Sequence, residues 1–281
     1  MFSFLSDFFQ KKSIDCFAPV PLEACRVIRP YLLEREQIAH GTVIMLAIPY
    51  FSKACTEANR NVSAYAVSRD YHVFFNELFH ELLPLLHQAF PTNRFAGFAD
   101  HSPIAEVEAA AAAVLGVIGK NQLLLTEKYS SYVFLGELIT DADIPCQAKE
   151  IAHCSNCGAC IRHCPMERLG TCLSALTQKK GSLTEAETKG ILSYGSAWGC
   201  DICQEVCPYT ERALQCGTIY SPIPYFSEDT LPTVSLETLS RMTDEEFACR
   251  AYAWRGRAVI QRNLHLLEMQ NDLKGEALCC D

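Results

Sequence analysis

The chain has 281 residues, 49% of them apolar, with 16 cysteines and a formal net charge of −9 at pH 7. That length predicts two domains rather than one, and the apolar share with a mean hydropathy near zero excludes a disordered chain. The acidic balance excludes strong non-specific binding of nucleic acid by the surface as a whole.

The opening MFSFLSDFFQKK reads as a short amphipathic helix docked on the body. Asp7 interrupts it, and it lacks the basic start and small-residue cleavage site of a signal peptide. No apolar run reaches membrane-spanning length, so a soluble, cytoplasmic protein with no membrane partner is expected. Residues 1–40 read as helical, punctuated by Pro19, Pro21 and Pro30. TVIMLAIPY (42–50) is a continuous apolar run suited to a buried strand. From Asp70 to Phe90 the apolar residues recur at helical spacing, with a kink predicted at Pro84.

FAGFAD (95–100) predicts a second strand, followed by Ser102 and Pro103 as N-cap and first residue of a helix running to Val114. QLLLT (122–126) and YVFLGEL (132–138) read as two strands joined in a hairpin around Glu127–Ser131. The first half is thus α+β, a sheet covered by helices. Thr184 with Glu187, and Thr243 with Glu246, form capping boxes that open two helices. SPIPYFSEDTLP (221–232) is a loop, and RAVIQRNLHLLEMQ (257–270) closes the chain as a helix. Boundaries are expected near 145 and 220, giving domains 1–145, 146–220 and 221–281.

The strongest signal lies past the middle. Cys154-x-x-Cys157-x-x-Cys160-x-x-x-Cys164-Pro165 is followed by Cys172 and then Cys200-x-x-Cys203-x-x-x-Cys207-Pro208. Three closely spaced thiolates bind one corner of an iron–sulfur cube, while the fourth, held back and followed by Pro, ligates a second cluster. Reciprocal ligation then assigns Cys154, Cys157, Cys160 and Cys207 to one 4Fe-4S cluster, and Cys164, Cys172, Cys200 and Cys203 to the other. Zinc has no need of the C-x-x-x-C-P ending or of its repeat. Disulfides would need an oxidising compartment and give no reason for such tight spacing. Cys172, within CLSAL, also suits a small core residue.

The remaining cysteines, Cys16, Cys25, Cys55, Cys146, Cys216, Cys249, Cys279 and Cys280, scatter without pairing, as in a reducing cytosol. The Cys279–Cys280 pair reads as a frayed tail. Arg162, Arg168, Lys179, Lys180 and Lys189, with Arg250, Arg255, Arg257 and Arg262, could make a local basic face, although such sets are commonly a solvated surface.

Two clusters carry electrons without themselves defining a reaction, so the segment before them must bind whatever is reduced. It holds no G-x-G-x-x-G after the strand at 42–50, and Gly116-x-x-Gly119-Lys120-Asn121 lacks the spacing and hydroxyl of a phosphate loop. A flavin or a corrinoid held by backbone and shape would leave no motif. Three classes therefore stand: a corrinoid–iron–sulfur reductase, a non-catalytic two-cluster electron carrier, and a flavin-dependent reductase.

GSAWGCDICQEVCPYT, preceded by CLSALTQKKGSL, resembles epoxyqueuosine reductases, which are related to reductive dehalogenases. The likeness runs from about residue 40 to 268. VIMLAIPY matches the family's strand ending in Pro-Tyr, SRDYH its Asp-Tyr-His helix start, and WRGRAVIQRN its Trp-Arg-Gly and Gln-Arg-Asn run. GVIGKNQLLL and SSYVFLGELITD resemble the segments that surround the family's cobalamin.

The resemblance implies a nitroreductase-like cobalamin domain followed by a ferredoxin-like domain, in a short form without the family's C-terminal helical-repeat domain. It implies cobalamin contacts at Pro49, Tyr50, Tyr71, Gly119, Lys120, Asn121, Ser131 and Tyr132, and reduction of the epoxide of epoxyqueuosine in tRNA to queuosine. The implied partners are tRNA and an external donor of ferredoxin or flavodoxin type, acting on a monomer. FADHSPIAEVE aligns with the family's Val-Asp-x-x-Pro-x-x-Glu-Arg segment and puts the proton-donating acid on Asp100. That role would require burial to raise its pKa; taken alone, Asp100 reads as a turn or cap residue. Val107 stands where the family has Arg, and the acidic balance leaves room for an altered substrate. Tyr71, His72 and His101 are further acids or ligands by type, and surface or core residues by default.

Overall fold

A computed structural model describes the backbone of residues 1–166 and 170–278, and the side chains of these through residue 270. Arg168, Cys279 and Cys280 lie outside the described residues. Contacts gather the chain into two compact units: Met1–Phe51, Tyr71–Gly158 and Pro208–Pro224 form the first, and Ser52–Asp70, Ala159–Cys207 and Tyr225–Asp281 the second. These units interleave along the chain and do not follow the contiguous boundaries expected near 145 and 220. Long-range hydrogen bonds, described below, outweigh sequence adjacency.

The first unit is built on a four-stranded antiparallel sheet in the order β1 (Phe17–Pro21), β2 (Thr42–Pro49), β6 (Val133–Thr140), β3 (Phe95–Phe98). Every residue of β2 is buried, as its continuous apolar run requires of a strand covered on both faces. Side chains alternate across the sheet. Val43, Met45 and Ala47 pack in one cluster with the alanines of α4 (Glu106–Ala112). On the other face lies α3 (Tyr71–Ala89), which runs through Pro84. A Cβ on Gly136 would meet Phe75 at 2.4 Å, and one on Gly97 would meet Phe79 at 2.4 Å. Glycine at these positions sets how closely α3 can approach the strands.

Several expectations change. Residues 17–21 are strand, not helix: β1 is an edge strand, the one place in a sheet where Pro19 and Pro21 cost no ladder hydrogen bond. Before residue 40 the α-helices are α1 (Phe2–Lys11), which buries Leu5, Phe8 and Phe9, and α2 (Pro30–Glu36), with a single 3-10 turn at Leu22–Ala24. The expected hairpin of 122–126 with 132–138 does not form. Instead β5 (Leu124–Leu125) pairs with β4 (Val117–Ile118), while β6 is inserted between β2 and β3. Ser102 does not cap α4, whose N-cap is Ala105 without a side-chain bond; the Ser102 hydroxyl serves a buried carboxyl group instead.

The second unit is helical, with the short α5 (Ala159–Arg162), α6 (Leu173–Thr177), α7 (Glu185–Tyr194), α8 (Ile202–Glu205), α10 (Leu236–Arg241) and α11 (Asp244–Ala248) and the longer α12 (Arg257–Leu278). The helix between α8 and α10, α9 (Pro208–Gln215), belongs to the first unit. Both capping boxes form, at Thr184 with Glu187 and at Thr243 with Glu246. The arginines expected to make a basic face are largely committed. Arg250 is held by Asp229, Arg257 donates to the carbonyls of Leu239 and Met242, and Arg262 donates to those of Lys179 and Gly181. Among the described residues no helix is long and apolar enough to cross a membrane.

The close approach of α3 gives a direct test. Gly97→Ala places a methyl group in the Phe79 ring and destabilises the protein by about 1–3 kcal/mol, the usual cost of overpacking, measured as a fall in the urea midpoint.

Candidate functional site

Strand β6 supplies the first element of the site. Its Glu137 pairs in register with Met45 and with Phe98, which places the side chain on the α4 face of the sheet. There it is fully buried. Glu106 stands in the first turn of α4, and the two carboxyl groups hydrogen-bond each other. Glu106 Oε1 and Glu137 Oε2 meet no donor from a third residue. Burial, reinforced by the neighbouring charge, pushes Glu106 up to about 7 and Glu137 well above the ordinary carboxyl range. Two facing carboxyl groups removed from water share a proton, since both cannot ionise.

Between β3 and α4 the chain crosses the rim of a cavity. Asp100 sits here with φ 63°, in the left-handed region. Its side chain is 68% exposed, and His72 Nε2 lies 3.6 Å from Oδ2. The bond from His72, aided by the charges of His72, Arg29 and His101, holds the Asp100 carboxyl below its ordinary value despite partial burial. Burial thus does not supply the rise that the role of acid would require; the raised acids are its neighbours Glu106 and Glu137. His101 turns away to meet the Tyr31 hydroxyl at 2.9 Å.

The cavity, of about 180 Å³, is lined by Tyr71, Asp100, Glu106, Val107 and Ser131 together with Leu123, Leu124, Val133, Phe134 and Leu135. Six of these ten lining residues are apolar, and Asp100 and Glu106 are the acids among them. Of the residues expected to contact a cofactor, Tyr71 and Ser131 reach the cavity. Tyr71 stacks on Phe134 at 4.2 Å between ring centroids, and Phe134 in turn lies 4.3 Å from Tyr50. Tyr50 and Tyr132 are buried behind this wall, and Pro49 ends β2 beside them. Gly119, Lys120 and Asn121 form the tip of the β4–β5 hairpin, where Gly119 N–H donates to the Leu123 carbonyl. A Cβ on Gly119 would meet Asn121 Oδ1 at 2.3 Å, a contact the Asn121 side chain could relieve by turning away. Val107 presents an apolar group where an arginine would have carried charge. Phe134 and Glu137 are functional neighbours that motif matching missed; period-two reading of β6 could have placed them.

The cysteines divide between the units. In the first, Cys154 N–H donates to the Ile118 carbonyl at 3.0 Å, which ties the start of the cysteine run to the hairpin beside the cavity. Cys157 is exposed. In the second unit, Cys160 lies on α5, which packs on α8, the helix that holds Cys203. Cys164 and Cys200 pack against one apolar cluster of Met166, Leu173, Leu176 and Ile191. Cys172 is the N-cap of α6. Burial, and then the charges of Asp201, Cys203 and Cys172, push the Cys200 thiol up to about 12. Cys207 follows α8 directly.

The all-sulfur set suits iron–sulfur chemistry rather than a hard cation. Among the described residues no three His, Cys, Asp or Glu side chains converge on a single ion. A cube makes no such demand, because each thiolate binds a different iron.

Asp201 sits between two of these cysteines and is fully buried. It accepts from Arg60 Nη1 at 2.6 Å, Ser63 Oγ at 2.5 Å, Ala64 N–H at 2.7 Å and Gln204 Nε2 at 3.0 Å. Asn263 Nδ2 donates to the carbonyls of Thr177 and Ala197. Gly199, with φ 76°, lies so close to Ser63 that a Cβ would approach the serine Cβ at 2.4 Å. The polar residues between the cysteines are therefore what draws segment 52–70 into this unit.

Two measurements follow. Asp201→Ala leaves the Ser63 hydroxyl, the Ala64 N–H and the Gln204 amide without their buried acceptor, and Arg60 with Glu205 as its remaining carboxylate; it destabilises by about 3 kcal/mol, read from the urea midpoint. Glu106 and Glu137 bind protons more tightly folded than unfolded, so their contribution to stability is complete below the ordinary value of 4.5 and is lost as pH rises through about 7. The urea midpoint therefore falls between pH 5 and 8, and Glu137→Gln flattens that fall.

The family model described as epoxyqueuosine reductase QueG, DUF1730, matches residues 38–101. The epoxyqueuosine reductase of Gloeobacter violaceus is 31% identical over 224 residues, covering 75% of this chain and 70% of the relative. That of Lactococcus garvieae is 32% identical over 241 residues, covering 79% and 67%. Among solved structures, epoxyqueuosine reductase from Streptococcus thermophilus superposes with a TM-score of 0.77 at 24% identity, covering 95% of this chain and 80% of that one. An epoxyqueuosine reductase bound to an epoxyqueuosine-modified tRNA-Tyr stem loop gives 0.72 at 23%, covering 95% and 81%. The Bacillus subtilis structure, with its catalytic aspartate loop swung out of the active site, gives 0.71 at 22%, also covering 95% and 81%. On this sequence similarity the chain belongs to the epoxyqueuosine reductase family.

Proposed function

We propose that this protein removes the epoxide oxygen of epoxyqueuosine in tRNA, giving queuosine. The observation that carries this reading is that Asp100, the residue aligned with the family's acid, lines a cavity whose other lining residues are mostly apolar. Relatives more than 30% identical carry this activity in their names, and a structural neighbour was solved with the modified stem loop. The first unit is read as the nitroreductase-like, substrate-binding part and the second as bearing ferredoxin-like cysteine ligands.

The cavity suits the reacting face of a corrinoid, since its lining offers a flat apolar wall and few hydrogen-bonding groups; it is smaller than the whole ring. Tyr71, Phe134 and Leu124 would form that wall, with Ser131 and the tip residues Gly119, Lys120 and Asn121 at the edge. The eight cysteines would hold two 4Fe-4S clusters. When bound, cobalamin would supply the nucleophile toward the epoxide and the clusters its electrons, drawn from an external ferredoxin or flavodoxin type donor.

Converting an epoxide to an alkene consumes two electrons and two protons and releases water. The protein's own part is the proton at the departing oxygen. Asp100 rests as a carboxylate at neutral pH and acts as an acid after taking up a proton, for which His72 Nε2, 3.6 Å away, is at hand. Positioned proton donors of this kind contribute about 10²–10⁴-fold to rate. The mostly apolar lining excludes water from the reacting bond.

Anaerobically reconstituted protein is expected to hold about eight irons per chain and to convert epoxyqueuosine-containing tRNA under reduction. Asp100→Asn lowers kcat by about 10²–10⁴-fold with iron content unchanged. Cys200→Ser loses about half the iron. Full iron and cobalamin loading with no turnover of the modified tRNA would overturn the substrate assignment. Failure to take up cobalamin would favour the electron-carrier reading.

A further inference from the structure

The segment that leads into α2 is joined along its length to the stretch that follows Asp100. The Arg26 carbonyl accepts Ala105 N–H at 3.0 Å, and the Pro103 carbonyl accepts both Ile28 N–H at 2.8 Å and Arg29 N–H at 3.0 Å. Val27 and Ile104 pair as an antiparallel bridge. Two side chains extend the join: Arg29 Nη1 donates to the Ser102 carbonyl at 2.8 Å, and the Tyr31 hydroxyl meets His101 Nε2 at 2.9 Å. Residues 26–31 are thus held against 101–105, beside the proposed acid. They lie ahead of residues 38–101, which the family model matches.

This short segment shows solvent three large apolar side chains, Val27, Ile28 and Tyr31, the last 52% exposed. Exposed apolar residues are ordinary one at a time, but a contiguous set marks an interaction surface. The two arginines of the segment differ. Arg26 is matched by Glu108 through two hydrogen bonds, at 2.8 and 2.6 Å. Among the described residues Arg29 has only the Ser102 carbonyl as partner and no carboxylate. Its charge persists at every physiological pH and stands where Asp100 and Glu106 would otherwise repel an anion.

We propose that Tyr31 and Arg29 form a platform for single-stranded RNA at the cavity, with the Tyr31 ring stacked on the base next to the reacting nucleotide and Arg29 on the adjoining phosphate. This rests on the reading of tRNA as the substrate. The cavity, at about 180 Å³, is smaller than the roughly 300–1,000 Å³ of an ordinary ligand pocket. It admits the reacting end of a nucleoside, so the nucleotides on either side must lie on the surface near Asp100. Unpaired RNA bases are recognised by stacking on Tyr or His rings, with arginine taking the backbone charge. The bond to His101 fixes the Tyr31 ring beforehand, so less side-chain freedom is lost when a base arrives. A protein electron donor would serve the clusters, whereas this segment is joined to the loop of the acid.

The test uses the full chain and a labelled, unmodified tRNA-Tyr stem loop, titrated from about 50 to about 200 mM salt, with kcat and KM measured on the modified RNA. Tyr31→Ala weakens stem-loop binding about 5- to 150-fold and raises KM by a like factor, without a matching fall in kcat. Tyr31→Phe keeps the ring, loses the bond to His101 and binds as the native protein does. Arg29→Gln lowers the slope of log K against log salt by about 0.7, the share of one phosphate contact on a single strand, and Arg29→Lys restores it.

If Tyr31→Ala binds the stem loop as tightly as the native protein, or Tyr31→Phe loses as much as Tyr31→Ala, the platform is refuted. It is also refuted if these variants raise the KM for a flavodoxin-type donor and leave stem-loop binding intact. Should Tyr31→Ala fail to fold, the contrast between Arg29→Gln and Arg29→Lys decides alone. Binding of the unmodified stem loop does not depend on turnover. A protein that binds it through Tyr31 but reduces no epoxide refutes the functional reading and leaves the platform standing. One that reduces the epoxide with the same KM in the native and Tyr31→Ala forms does the reverse.

Discussion

A carboxyl group taken out of water must either keep its charge among donors or give the charge up. This chain uses both solutions, one in each unit, and its candidate chemistry is arranged around them. In the second unit Asp201 keeps its charge, surrounded by Arg60, Ser63, the Ala64 amide and Gln204. In the first, Glu106 and Glu137 have no cation between them and share a proton. Asp201 ties the segment between two of the cysteines to residues 60–64, and Glu137 accepts from Ser102, two residues past the proposed acid.

The two solutions differ in what they make of pH. Asp201, with its arginine and three further donors, is locked by groups that are charged or polar across the physiological range, as a rigid metal-ligand loop requires. The glutamate pair instead keeps a proton above the ordinary carboxyl range, because burial penalises its charge. Asp100, at the exposed end of the same system, is held in the opposite direction by His72. Adjacent acids pushed apart in pKa are what divides the roles of holding and of proton transfer.

Much of the site was legible in the order of residues. The cysteine spacing was legible because it is a local matter, set by one turn of chain. The capping boxes at Thr184 and Thr243 were legible for the same reason. Strand β2 was visible from its apolar run, and Asp100 from its motif. What the residues did not disclose was which strand pairs with which. Leu124 and Leu125 looked like the partner of β6, but they pair with Val117 and Ile118. Residues 17–21 looked helical because their prolines suggested punctuation, and an edge position tolerates those prolines. Ser102 looked like a helix cap until Glu137, 35 positions along, took its hydroxyl.

The sequence by itself determined the chemistry available: eight thiols in a doubled iron–sulfur spacing, a family acid in FADHSPIAEVE, and helices and strands read from local periodicity. Tertiary structure alone decided which carboxyl groups carry protons, because pKa depends on burial and on neighbours that the chain supplies from distant segments. It also decided that 52–70 belongs with the later cysteines and not with the strands beside it in sequence. Burying Asp201 requires Arg60, and no spacing rule records a bond across 141 positions.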